Sequence, residues 1–430
     1  MIDVIKEKKE NLTEERTEKG SKAKKLVIKI FAGLVAVVLV FAVVTGIITV
    51  AGRNANEKKA LSYENAGCQQ LELDNYADGC WNIYTDNELK VLQLTDVHLG
   101  GGWMSVGKDA KALNAVGAMI TAEKPDLVIV TGDLAYPIFM QAGTINNKTG
   151  ARLFASLMES LGVYWTLTFG NHDVEFNSIY SKEELIEFYS QYPHCLLQNG
   201  PEDIDGAGNQ VINIVNSDNV ITRSFILIDS NAYTEDHIPV IRGQYDNIHD
   251  NQIEWYKKTV AELNEKNEAV FATLEPEKAT RYAAEYPVVN TSLFFHIPLY
   301  EYSVAWNELA ENDFNATENA KLVYGTQGEA VCCPYEDENM FETVLEAGST
   351  DSMFCGHDHV NTYSVEYKGV RLTYGMSIDY LAYIGISKEG AQRGCTVITY
   401  SPDGSFDCKA ENYYQDKYVT KFEKENNVKM

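Results

Sequence analysis

Positive charge is scarce in this chain: 36 Lys and Arg face 62 Asp and Glu over 430 residues, a formal net charge of −26. A nucleic-acid backbone is therefore not expected as a partner, because a phosphate-binding surface needs clustered cations. No Cys-x-x-Cys occurs, so a structural zinc site is not expected either. No internal repeat is present, which sets aside solenoids and propellers. The composition is not that of a disordered chain, since 45% hydrophobic and 11% aromatic residues can form a large core. A small phosphorylated ligand stays open, because bound cations make a pocket positive whatever the net charge.

Charge is missing altogether from residues 30–51. At 1.5 Å rise per residue a helix of this length spans a hydrocarbon core of about 30 Å. A signal peptide has a shorter apolar stretch, ~7–15 residues, behind a short leader. An anchor is therefore expected, although Thr49-Val50-Ala51 leaves cleavage open. Lys22, Lys24, Lys25 and Lys29 crowd the amino-terminal flank, whereas Arg53, Lys58 and Lys59 on the other side are fewer and mixed with Glu57. The tail is expected inside and the rest outside, as a single-pass protein of the cell membrane.

Setting aside the nine basic and six acidic residues up to Lys29 leaves 27 basic against 56 acidic ones, an outer domain of about −29. All eight cysteines lie in it: Cys68, Cys80, Cys195, Cys332, Cys333, Cys355, Cys395 and Cys408. An oxidising compartment permits disulfides there. Cys395 with Cys408, across a turn at Ser401-Pro402-Asp403-Gly404, and Cys68 with Cys80 are the candidate pairs.

Residues 1–25 read as a polar tail, 26–52 as the anchor, 53–89 as a polar linker, 90–415 as one catalytic domain and 416–430 as a second polar tail. From Lys90 on, short apolar runs alternate with helical patterns: strands are expected at 91–94, 127–130, 163–168, 211–215, 224–228, 291–295 and 353–354. Helices are expected at 110–123, 182–189, 251–265 and 341–346, and hairpins at 362–374 and 396–407. The fold class is α/β with added antiparallel strands.

Polar residues of one kind follow those strands: Asp96 and His98, then Asp133, then Asn171 and His172, then His296, then His357 and His359. Ligands of open α/β sheets bind beyond the carboxyl ends of strands, so these side chains are expected in one crevice. Singly, an Asp after a strand is commonly a turn residue or helix cap, and a strand-end His a hydrogen-bonded structural residue. Gly356-His357-Asp358-His359 is more specific, because two imidazoles at spacing two can reach neighbouring metals from one turn. Together they describe an oxygen and nitrogen site without thiolate.

Asp96-Val97-His98, Gly132-Asp133, Gly170-Asn171-His172-Asp173, His296 and Gly356-His357-Asp358-His359 resemble the signature of calcineurin-like metallophosphoesterases. Glu123 to Leu127, Gln252 to Trp255, His296 to Leu299 and Gly356 to Asn361 resemble its purple-acid-phosphatase-related branch of plant and fungal phosphatases. The resemblance implies a sandwich of two mixed β-sheets flanked by helices, and two metal ions such as iron, manganese or zinc. It implies that Asp96, His98 and His359 hold the first ion, Asn171, His296 and His357 the second, and that Asp133 bridges them. A hydroxide between the ions would attack phosphorus in line, His172 would act as the acid toward the leaving group, and Asp173 would orient it.

Tyr136 departs from a simple carry-over. Coloured purple acid phosphatases place a tyrosine ligand three residues after the bridging Asp but lack a histidine at the position of His98. His98 is taken as the ligand here and Tyr136 as a pocket aromatic. Substrate selection is expected from loops at 200–208, 300–321 and 325–335, the last with Gln327, Glu329 and the vicinal Cys332-Cys333; the acidic stretch 301–318 reads as a surface loop or a lid. The function expected is hydrolysis of phosphate esters outside the membrane, monoester or diester; the alternatives are an inactive phospho-ligand sensor of the same fold and an envelope scaffold.

Overall fold

The computed structural model describes residues 1–234, 244–334, 339–383, 386 and 392–424. Two compact units are present, Met1–Gly52 and Arg53–Met430. The first unit is helical and belongs to α1 (Ile2–Ala60), whose stretch from Lys19 to Ala60 is long and apolar enough to cross a membrane, a test that signal sequences also pass.

The second unit holds fourteen strands among the described residues, in two mixed sheets. The five-stranded sheet contains β3 (Leu89–Leu94), β4 (Leu127–Thr131) and β5 (Tyr164–Thr168) in parallel, with the hairpin β13 (Gly394–Tyr400) and β14 (Phe406–Asn412) against β3. The nine-stranded sheet starts with the hairpin β1 (Glu72–Ala77) and β2 (Cys80–Tyr84), followed by β6 (Gln210–Val215) and β7 (Ile221–Leu227). Its centre is β7, β8 (Asn290–Phe294), β10 (Thr350–Cys355) and β12 (Val370–Tyr374), all parallel, and it closes with β11 (Ser364–Tyr367) and β9 (Ala320–Tyr324).

Alternation along the strands explains the layering. Val91, Leu127 and Ile129 face the other sheet, meeting Ile212, Phe225, Phe294 and Phe354 in one core. Leu92, Leu94, Val128 and Val130 face outward onto α2 (Val106–Glu123) and α4 (Asn147–Leu161) through Ala112, Val116, Leu153 and Leu157. On the far side, α6 (Asp250–Phe271), α8 (Tyr300–Glu311) and α9 (Met340–Ala347) cover the larger sheet with Tyr256, Leu309 and Phe341. Burial on both faces is why β4 reads as an unbroken apolar run, and each such Leu or Ile contributes roughly 1.5–3 kcal/mol. Short helices α3 (Phe139–Ala142), α5 (Lys182–Tyr189) and α7 (Pro276–Glu285) complete the unit.

Several expectations are corrected. Residues 53–89 are not a plain linker: the last turns of α1 are packed, with Asn56 Nδ2 donating to Val106 O at 2.8 Å, and β1 and β2 add a hairpin to the larger sheet. The acidic stretch 301–318 is neither loop nor lid at its start, since α8 buries Tyr302, Ala305 and Leu309. All eight cysteines are free. The register of β13 and β14 places Cys408 opposite Ile398 and Cys395 opposite Glu411, three rows apart and on opposite faces, so that pair cannot meet. Cys68 packs under α2 and α4 while Cys80 sits among Val211 and Leu263. The expected loop at 325–335 and the tail at 416–430 extend beyond the described residues at Tyr335 and at 425–430.

Candidate metal centre

Five strands deliver the seven expected metal ligands to one place. Asp96 and His98 follow β3, Asp133 follows β4, Asn171 follows β5, His296 follows β8, and His357 and His359 follow β10. Asp96, His98, Asp133 and His359 offer ligand atoms within 4.8 Å of one another, and so do Asp133, His296 and His357, with Asp133 common to both groups. Asn171 joins the second group, its Oδ1 3.2 Å from His296 Nε2.

Each aspartate is divided between the protein and the cluster. Asp96 Oδ2 accepts from the Thr95 hydroxyl at 2.8 Å and from His357 N at 3.2 Å, leaving Oδ1 3.5 Å from His359 Nε2 and 3.8 Å from His98 Nε2. Asp133 Oδ1 accepts from His172 N at 2.8 Å, leaving Oδ2 3.3 Å from His296 Nε2 and 3.5 Å from His98 Nε2. The two oxygens so aimed are buried without a hydrogen-bond partner. A buried acceptor left in that state costs about 1–3 kcal/mol or more.

Those orphans fit metal ions. His98 Nε2 and His359 Nε2 lie 3.2 Å apart, and His357 Nδ1 and His296 Nε2 lie 3.3 Å apart. Two ligands at 2.0–2.1 Å from a tetrahedral ion are separated by about 3.3 Å, so these nitrogens stand at the edge lengths of a coordination shell. His296 Nδ1 donates to Thr131 O at 2.8 Å, which turns the Nε2 lone pair into the cluster. Asn171 Nδ2 donates to the Tyr233 hydroxyl at 2.7 Å, which fixes its Oδ1 toward His296. His359 Nδ1 is 3.4 Å from Asp379 Oδ2, a carboxylate held by the backbone N–H groups of Leu381, Ala382 and Tyr383.

Electrostatics in the cluster follow from packing cations and anions out of water. Burial raises Asp133, but His296, His172 and His98 together hold its carboxyl well below the usual range. Burial lowers His296 and His359, yet Asp133 and Asp96 push the first up to about 9, and Asp379 and Asp96 do the same to the second. His357 falls well below the ordinary histidine value through burial and the charge of His296.

Backbone strain concentrates here. Asp96, His98, Asp133 and His357 all have positive φ, at 50°, 49°, 53° and 75°. Each costs about 1–3 kcal/mol and persists only where the surroundings enforce it. Gly132, at φ 83°, lets β4 pass under His296: a Cβ there would lie 2.3 Å from His296 Nδ1. A Cβ on Gly170 would lie 2.2 Å from Asp133 Oδ1.

The two expected catalytic residues separate. His172 stands beside the cluster, its ring 5.6 Å from that of His98 and 4.9 Å from that of Tyr136. Asp173 does not orient it. Asp173 accepts from the N–H groups of Asp133, Gly170 and Ala135, at 3.0, 2.8 and 2.7 Å, and so ties the β4 turn to the β5 turn. The partner of His172 is Glu175, with Oε1 2.6 Å from Nδ1, a residue the sequence reading missed. Its signal was a carboxylate at i+3, which the turn after β5 brings back over residue i. Asp379 and Tyr233 were missed too, as neither lies in a motif. Tyr136 packs edge-on against His98 at 4.9 Å, and burial raises its hydroxyl above the ordinary value.

Two mixed sheets between helices, with a buried Asp and His cluster beyond parallel strand ends, define a metallophosphoesterase. The Calcineurin-like phosphoesterase family model matches residues 89–361, and the chain belongs to that family. It is 28% identical over 320 residues to "Probable inactive purple acid phosphatase 14" of Arabidopsis thaliana, covering 70% of this chain and 72% of the other. It is likewise 28% identical over 333 residues to "Probable inactive purple acid phosphatase 29" of the same plant, covering 73% and 77%. "Phosphatase DCR2" of Saccharomyces cerevisiae is 27% identical over 304 residues, 65% of this chain but 45% of that longer protein. Among solved structures, a dimetal phosphatase from Danio rerio aligns with a TM-score of 0.44 at 12% identity, over 76% of this chain and 96% of that one.

Proposed function

We propose that the chain hydrolyses phosphate esters at a dinuclear metal centre on the outer side of a membrane, with a small phosphorylated molecule as substrate. The observation that carries this reading is the unshared oxygen of Asp133, which belongs to both ligand groups. Asp96, His98 and His359 would hold one ion, Asn171, His296 and His357 the other, and Asp133 would bridge them. Two such ions, drawn from iron, manganese or zinc, supply a water-derived nucleophile at neutral pH and neutralise charge that develops on the phosphoryl oxygens. His172, steadied by Glu175, would give its proton to the leaving oxygen. Asp173 would hold the Asp133 and Asn171 turns at a fixed separation.

A second reading, a phospho-ligand sensor without turnover, is favoured by the word inactive in the names of two plant relatives. Against it, an inert relative has no chemical need for seven ligands and His172. The full chain in detergent, loaded with Mn²⁺, Fe²⁺ or Zn²⁺, should hydrolyse nitrophenyl phosphate or its diester, and Asp133→Asn should lose metal and activity together. Inactivity with every metal on both esters would favour the sensor. Sidedness is tested by protease added to intact cells, which should digest the catalytic domain; protection would place it inside.

A further inference from the structure

Away from the metal centre, a surface cavity of the second unit gathers cations. Arg53, Lys148 and Arg152 line a cavity of about 210 Å³ with Asn146, Thr149 and Tyr180. A space of that size has room for a tetrahedral oxyanion and part of its hydration. None of the three cations is ion-paired with a described carboxylate. Three like charges around one small space repel unless an anion joins them.

The site is built rather than incidental. Arg53 Nε, a donor, is buried without a hydrogen-bond partner. Thr149, only 8% exposed, adds a hydroxyl to the lining. The Lys148 ammonium is held 4.7 Å over both the Tyr180 and Phe188 rings, which limits where its charge can go. Asn146 is the N-cap of α4 but makes no side-chain cap bond, and the first turn holds no acidic residue, so the positive end of the helix dipole is also uncompensated. The helical turn that follows Arg53 is tied down by Asn56, three residues on, which is bonded to Val106 O.

We propose that Arg53, Lys148 and Arg152 form a second anion site that binds a phosphate group, supplied by a phospholipid headgroup at the membrane surface or by free phosphate. The headgroup source rests on the anchor reading, because Arg53 follows the apolar run 30–51 by two residues in sequence. Bound there, a phosphate would accept charge-assisted bonds from two guanidinium groups and an ammonium.

The full chain in neutral detergent, stripped of metal by a chelator so that the metal centre takes no phosphate, is titrated calorimetrically with inorganic phosphate. Replacing Lys148→Gln and Arg152→Gln together should weaken binding about tenfold or more, and Arg152→Lys alone should weaken it less. An unchanged melting temperature shows that the double variant is folded. Equal phosphate affinity in wild type and folded double variant overturns the proposal. The source is read from nanodiscs of phosphatidylcholine with phosphatidylglycerol, by mass spectrometry of lipid retained after delipidation. Retention lost in the double variant assigns the headgroup, whereas equal retention with weakened phosphate binding assigns free phosphate. A chain recovered without its amino-terminal segment removes the anchor reading and the headgroup source, and leaves the calorimetric comparison as the test of the site.

Discussion

His172 Nδ1 and Glu175 Oε1 lie 2.6 Å apart within one turn after β5. The contact occupies one ring nitrogen and leaves Nε2 as the one that can face a reacting group. Burial opposes protonation of His172, but Asp133 and Glu175 outweigh it and raise the imidazole above its ordinary value.

As a general acid His172 should contribute roughly 10²–10⁴-fold with poor leaving groups. His172→Ala should keep both metals and lose far more activity on alkyl phosphates than on nitrophenyl phosphate. Glu175→Gln should give the same pattern with a smaller loss. Equal losses on both esters would assign His172 to the phosphoryl group, and loss of a metal would make it a ligand.

Asp379 Oδ2 lies 3.4 Å from Nδ1 of His359, the ring whose Nε2 faces the cluster. Asp379→Asn should weaken metal binding by about 10–100-fold, the usual cost of removing a carboxylate behind a ligating histidine. Metal competition with a chromophoric chelator measures this, and unaltered affinity would show that the 3.4 Å contact does not matter.

Gly132→Ala should destabilise by at least about 1–3 kcal/mol from its left-handed backbone alone. The added carbon also pushes on His296, so the second metal should be lost first. Thermal melting with metal analysis reads both, and a full complement of metal at an unchanged melting temperature would contradict the packing described.

Asp109 gives a pH dependence. It accepts from the N–H groups of Gly100 and Gly101 and from the Ser105 hydroxyl, yet burial outweighs these bonds and pushes it up to about 7. A carboxyl whose folded value exceeds its unfolded value of 3.8 holds more protons when folded, so stability falls as pH rises from about 4 to 7. In Asp109→Asn that fall should be absent from the melting curve, superimposed on a constant loss from the missing acceptor. A difference from wild type that stays level from pH 4.5 to 7.5, on the order of the window set by linkage, would count against this assignment.

Much of the cluster was legible in sequence because its Asp, Asn and His residues sit just after strands, and strands announce themselves as short apolar runs. The helix at 182–189 matched α5 to the residue, helped by Ser181 and Glu184, whose side chains form a reciprocal cap. The hairpins at 362–374 and 396–407 correspond to β11 with β12 and β13 with β14. Helix α4 was not read from the pattern, nor was the β1 and β2 hairpin, whose strand β1 is mostly exposed and carries little apolar signal.

The sequence by itself determined the apolar run, the order of Asp96, His98, Asp133, Asn171, His296, His357 and His359, and their attachment to strand ends, because these depend on neighbours along the chain. Only the tertiary structure decided which groups stand behind them. Glu175 rather than Asp173 reaches His172 because a turn returns residue i+3 and directs residue i+1 away. Asp379 reaches His359 because β12 lies parallel beside β10, which places the loop after β12 at the same end of the sheet. Cys395 and Cys408 stay apart because a hairpin register, not their spacing, sets which residues face each other.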